Sequence, residues 1–103
     1  MIRVSVLYPL QEGGTFDYDY YLQKHIPMVQ EKVGDALKKV EVYKGIGAPG
    51  DAPATYMTLA SLFFDSADSF GASFGPHAEE IIGDVKNFTN LEPIVQLEDQ
   101  ILG

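Results

Sequence analysis

The run Tyr56-Met57-Thr58-Leu59-Ala60-Ser61-Leu62-Phe63-Phe64 is rich in β-branched and aromatic residues, and no proline or glycine interrupts it, so it reads as a strand inside a sheet. Tyr56, Thr58, Ala60 and Leu62 alternate with Met57, Leu59, Ser61 and Phe63, and neither set is polar enough to sit comfortably in water. A sheet built around this strand therefore needs cover on both faces.

The flanking sequence supplies cover for one face. Ile2 to Tyr8 alternates as a strand, with Ile2, Val4, Val6 and Tyr8 on one side. Asp17 is placed as a helix N-cap, and Phe16 and Tyr21 are spaced to form a hydrophobic staple over it. The helix runs to about Val33, with a kink expected around His25 to Pro27, where the proline deletes a backbone bond. Leu37 to Gly47 reads as a second strand. Asp65 or Ser66 caps a second helix, whose stripe is Ala67, Phe70, Phe74, Ala78, Ile81 or Ile82, and Val85, bent at Gly75-Pro76. Ile94 to Glu98 is the last strand. The order β-α-β-β-α-β gives a single α+β domain over residues 1–103, ferredoxin-like, with two helices on one face of a four-stranded antiparallel sheet. The second face is left over, and an identical partner sheet is the simplest cover, which predicts a homodimer.

Composition narrows the partners. Fifteen acidic against seven basic residues give a formal charge of -8, spread along the chain. Such a surface repels polyphosphate backbones and anionic membranes alike. The RNA-recognition module shares this element order, but the third strand lacks the basic-Gly-aromatic signature that module requires. No cysteine is present, which removes disulfides, thiolate catalysis and thiolate metal sites. No run approaches the ~20 apolar residues of a membrane span and no signal-peptide pattern stands at the start, so a cytoplasmic location is expected.

The candidates for neutral-pH chemistry are few. Of the two histidines, His25 stands on the stripe Tyr21, His25 and Val29, four residues apart in turn, facing the sheet where Pro27 opens the backbone. Tyr8, at the end of the first strand, is placed to point into the same space. A buried imidazole beside phenol hydroxyls suits proton transfer; equally, His25 reads as a core histidine bonded to a carbonyl freed by the proline, with the tyrosines as packing. His77, between stripe positions Phe74 and Ile81, is placed to reach the cavity or its rim. No His-Glu-x-x-His spacing, phosphate loop or dinucleotide fingerprint occurs, so neither a metal nor a cofactor is expected, and the acids near the histidines read as solvated helix faces.

Tyr8-Pro9, Gly14, Phe16-Asp17, Tyr20-Tyr21 and His25-x-Pro27 resemble the EthD family, named for ethyl tert-butyl ether degradation. So do Phe64-Asp65-Ser66, Phe74-Gly75, Asp84-Val85, Asn87-Phe88-Thr89-Asn90, Pro93 and Gln96. The resemblance implies a dimeric α+β barrel with a pocket between sheet and helices and the family's motif histidine at His25. It also implies a setting in the catabolism of a small apolar or aromatic compound, alongside a cytochrome P450 system. Barrels of similar design include cofactor-free monooxygenases, cyclases and an isomerase. On this reading His25 is the general acid/base, Tyr8 and Tyr21 orient substrate or stabilise an oxyanion, and Tyr56, Phe74, His77 and Phe88 shape the cavity. The alternatives are a non-catalytic carrier of a hydrophobic intermediate for a partner oxygenase, a haem protein ligated by one histidine, and a purely structural dimer.

Overall fold

Every backbone hydrogen bond of an apolar strand must find a partner, and four strands satisfy one another here in an antiparallel sheet. A computed structural model describes residues 1–103. Strands β1 (Ile2–Pro9), β2 (Lys39–Lys44), β3 (Tyr56–Phe64) and β4 (Ile94–Asp99) lie in the order β2-β3-β1-β4. The register pairs Val6 with Ala60 on one side and Val95 on the other, so each row of paired residues shares a face. The β-α-β-β-α-β order and the ferredoxin-like sheet with helices on one face are as the sequence predicts.

Helix α1 (residues 18–33) starts where expected. Asp17 is extended, and its carboxylate accepts the Tyr20 N–H at 3.1 Å. Phe16 and Tyr21 form the staple, their rings edge to face at 5.0 Å. The anticipated kink takes a specific form. Tyr21–His25 is a π turn, in which the Ile26 N–H bonds back to the Tyr21 carbonyl, five residues earlier. Pro27 then falls in the first turn of the α-helical segment Ile26–Val33, where its missing N–H removes no bond of that segment. The proline is accommodated by widening the turn before it.

Helix α2 (residues 67–83) is capped by Ser66, whose hydroxyl accepts the Ser69 N–H at 3.0 Å; Asp65 does not cap it. A 3-10 turn, Gly75–His77, interrupts it at Pro76, as the sequence implies. The second strand is shorter than its apolar run. Leu37 is held at the close of a 3-10 turn, its N–H bonded to Gly34, and Ala48 bridges Ala52 in a separate turn beyond Lys44.

Both helices pack on the β1 and β3 face carrying Ile2, Val4, Leu62 and Phe64, with Val29 and Val33 from α1 and Ile81 from α2 completing one core. A second cluster, Tyr8, Tyr21, Phe88 and Leu91, closes the end of the sheet beside the π turn. The edge strand β4 is only partly covered by the helices, so Val95 and Leu97 stay 53% and 46% exposed.

Two glycines separate close approach from mere flexibility. A Cβ on Gly45 would collide with the Tyr56 carbonyl, whereas Gly71, inside α2, has open space around it. Gly71→Ala should stabilise the protein by ~0.5–1 kcal/mol and Gly45→Ala should destabilise it by more than ~1 kcal/mol. Urea melts of the two variants beside the parent check both signs.

Candidate active site

The chemistry-bearing residues meet where the π turn of α1 faces the end of α2. His25 is 5% exposed, and its Nδ1 lies 2.9 Å from Oδ2 of Asp84. Asp84 follows directly on α2, and its other oxygen accepts from the Tyr20 hydroxyl at 2.7 Å and from the Asn87 amide at 2.8 Å. The ionised carboxylate takes the proton on Nδ1, which fixes the tautomer and the ring plane. No protein group bonds to Nε2, and no fully buried side-chain nitrogen or oxygen is left without a partner. Nε2 thus keeps a free lone pair on a ring that lines the cavity.

That cavity holds about 250 Å³ between the sheet and both helices, and fourteen of its sixteen lining residues are hydrophobic. Tyr8 and Tyr21 line it with His25, and Val6, Leu62, Phe74 and Ile81 are among its apolar walls. Exposed Ile82 and Val95 mark its mouth, between α2 and the uncovered edge strand. The Tyr21 ring stacks on His25 at 5.5 Å, and Tyr8 meets Tyr21 edge to face at 6.2 Å. A larger depression of about 320 Å³, at the far end of β1, has the mutually paired Arg3 and Glu98, the acid Asp99 and Met1 with its α-amino group, and no histidine or tyrosine. It lacks the cluster seen here.

Electrostatics assign a state to each group. Burial pushes the His25 pKa below 6.5, outweighing the hydrogen bond and charge of Asp84, which act the other way. Burial also opposes ionisation of Asp84, but the hydrogen bonds from Tyr20, Asn87 and His25 prevail and hold its carboxyl below the usual range. Burial, and for Tyr21 also the neighbouring Tyr8, drives both phenols well above the ordinary tyrosine value. At neutral pH the imidazole is therefore neutral, a base, and both phenols are protonated and hydrogen-bonded to each other.

Of the residues the sequence singles out, His25, Tyr8, Tyr21 and Phe74 line the cavity. Phe88 is one layer back, its ring 4.6 Å from His25 and 4.9 Å from Tyr21, and it supports both. Tyr56, His77 and Phe88 are corrections to the cavity wall. Tyr56 stands at the start of β3, opposite Pro9 beyond the irregular register at the end of β1, and His77 lies on the 3-10 turn of α2; neither lines the cavity. Asp84 is the residue that sequence reasoning missed by treating nearby acids as solvated. Its signal was electrostatic: it is an acid at the C-terminal end of a helix, where the macrodipole favours cations. No group of three or more histidine and acidic side chains is arranged to hold a metal ion, and no helix is long and apolar enough to cross a membrane.

Residues 15–92 match the EthD domain. The chain belongs to the EthD family. It is 32% identical over 92 residues to an "uncharacterized 11.0 kDa protein in thcB-thcC intergenic region" of Rhodococcus erythropolis, spanning 87% of this chain and 85% of that one. Among solved structures it is similar to an EthD-like protein from Ralstonia eutropha JMP134, with a TM-score of 0.91 and 35% identity over 98% of this chain and 92% of that one. A dimeric protein of unknown function and ferredoxin-like fold from Bacteroides fragilis NCTC 9343 shares the fold at a TM-score of 0.60 and 15% identity, over 96% and 95% of the two chains.

His25 yields a direct check. In an NMR titration the His25 ring should have its midpoint below 6.5, and Asp84→Asn, which keeps an acceptor but removes the charge, should move it lower still. Because the folded value is depressed, His25 supports stability above about 6.5, and that support is lost as pH falls through the folded value. A wild-type midpoint at or above 6.5 would mean that Asp84 outweighs burial.

Proposed function

We propose that this EthD-family protein is a homodimeric, cofactor-independent acid/base enzyme acting on a small apolar or aromatic compound. The observation that carries the reading is one imidazole that lines an apolar cavity, with Nδ1 bonded to a carboxylate and Nε2 without a protein partner. His25 takes a proton from substrate C–H or O–H onto Nε2, the imidazolium so formed is stabilised by Asp84, and the electron pair left on the substrate is drawn to an oxygen. The hydrogen-bonded Tyr8–Tyr21 pair donates its free proton to that oxygen as its charge develops. Asp84 acts through His25, as a positioning residue.

The dimer follows from the face the helices leave bare. Tyr43, Leu59, Leu7 and Ile94 align across all four strands as one row, with Tyr43 54% and Ile94 51% exposed. The next rows carry Glu41, Ser61, Ser5 and Gln96, then Lys39, Phe63, Arg3 and Glu98. Arg3, Ser5 and Gln96 all bond to Glu98, so its carboxylate has its partners within the chain. The ionisable groups of the face are two cations and two anions, on a chain of net charge -8, which makes this a surface a second copy can approach without repulsion.

A carrier that holds a hydrophobic intermediate for a partner oxygenase, such as the P450 system the family resemblance implies, shares the cavity but makes His25 an anchor. Its support is the nearly unbroken apolar lining.

Native mass spectrometry of freshly purified protein should give the mass of two chains with a small organic molecule retained, and Leu59→Glu, on the bare face, should give one chain. A monomeric parent would overturn the dimer. Turnover of the retained compound should fall by roughly 10²–10⁴-fold in His25→Ala. Unchanged turnover would remove His25 from the mechanism, and recovery of the compound intact after incubation would favour the carrier.

A further inference from the structure

The side-chain hydrogen-bonding groups of the cavity are three: the His25 imidazole and the hydroxyls of Tyr8 and Tyr21. Every other lining residue is aliphatic, phenylalanine or proline, and none is charged. A ligand's polar part must be satisfied by this set, since a polar group left unpaired in an apolar cavity loses its hydration without return. Asp84 occupies Nδ1 as a donor, so the neutral ring offers the cavity an acceptor at Nε2 and no proton. The two phenols, kept protonated by burial, hydrogen-bond to each other, so the pair offers the cavity one free proton. One acceptor beside one free donor complements a single hydroxyl group, whose proton goes to Nε2 and whose oxygen accepts from the tyrosine pair. An ether oxygen of the same shape accepts from a tyrosine but leaves Nε2 facing hydrocarbon. A carboxylate sets two acceptors against an acceptor, with no lysine or arginine in the wall to balance its charge.

Resting on the reading of this cavity as a ligand site, we infer that its ligand is an uncharged hydroxyl compound, a phenol or enol on one or two rings, selected over the corresponding ether and carboxylate. The volume of about 250 Å³ lies just below the ~300–1,000 Å³ range of pockets for drug-sized ligands, which fits a body of that size.

Three probes separate the cases: 2-naphthol, 2-methoxynaphthalene and 2-naphthoate, titrated at neutral pH with naphthalene fluorescence as the readout, unobscured because the chain has no tryptophan. The naphthol should bind about tenfold or more tightly than its methyl ether, with the carboxylate weakest. His25→Phe, which keeps the aromatic bulk under Tyr21, should bring naphthol and ether to about equal affinity while leaving ether binding in place. The wild-type protein gives a second reading that needs no variant: the preference for naphthol should fade as acid protonates His25, because the Nε2–H then donates to the ether oxygen as well. Equal binding of naphthol and ether by the wild type, tightest binding of naphthoate, or a preference unmoved by acid would each overturn the hydroxyl class and leave the cavity standing. Binding of none of the three would overturn the ligand-site reading itself, and this inference with it.

Discussion

The carboxylate of Asp84 is the point on which the site depends. It gathers a ring nitrogen and a phenol hydroxyl from α1 and an amide from the turn after α2, joining two helices that otherwise meet through apolar packing and the exposed Lys32–Glu80 ion pair. A carboxylate half-removed from water is destabilised, and three donors turn that cost into a fixed geometry. The consequence reaches beyond local stability. With Nδ1 committed, His25 has one free nitrogen and one direction in which to use it, and burial keeps that nitrogen unprotonated.

Departures from local rules collect around this carboxylate. A proline sits inside a helix, an acid ends another helix against the macrodipole, and a histidine occupies an apolar stripe. Each is locally unfavourable, and each has its compensation in the site. The π turn absorbs Pro27 and carries Tyr21 at one end and His25 at the other, and the hydrogen bonds of Asp84 offset its position at the helix end. Irregular helix geometry here belongs with function, as π turns elsewhere do.

The sheet divides its duties by face. Beneath the helices, residues of β1, β3 and β4 floor the cavity, while the opposite face sets an apolar row beside rows of paired charge. β4 stands at the edge, its side chains exposed on both faces, so the cavity mouth and the bare face are neighbours along one strand. What covers one bears on access to the other.

The sequence by itself determined the element order, the caps, the two-faced apolar character of β3 and the place of His25 on the buried stripe. Each of these rests on neighbours within a few residues, or on the strict two- and near-four-residue periods of strand and helix. Only the tertiary structure decided that Asp84 is the partner of His25, fifty-nine positions away, and that Tyr56 and His77 fall outside the cavity wall. The physical reason is that spacing along one helix says which way a side chain points but not which residue of another helix it meets. That depends on the crossing of α1 and α2 over the sheet, on the register irregularity between Tyr8 and Pro9 that displaces Tyr56, and on the 3-10 turn that carries His77. A hydrogen bond needs its atoms placed to within a few tenths of an ångström, and only packing of the whole chain provides that.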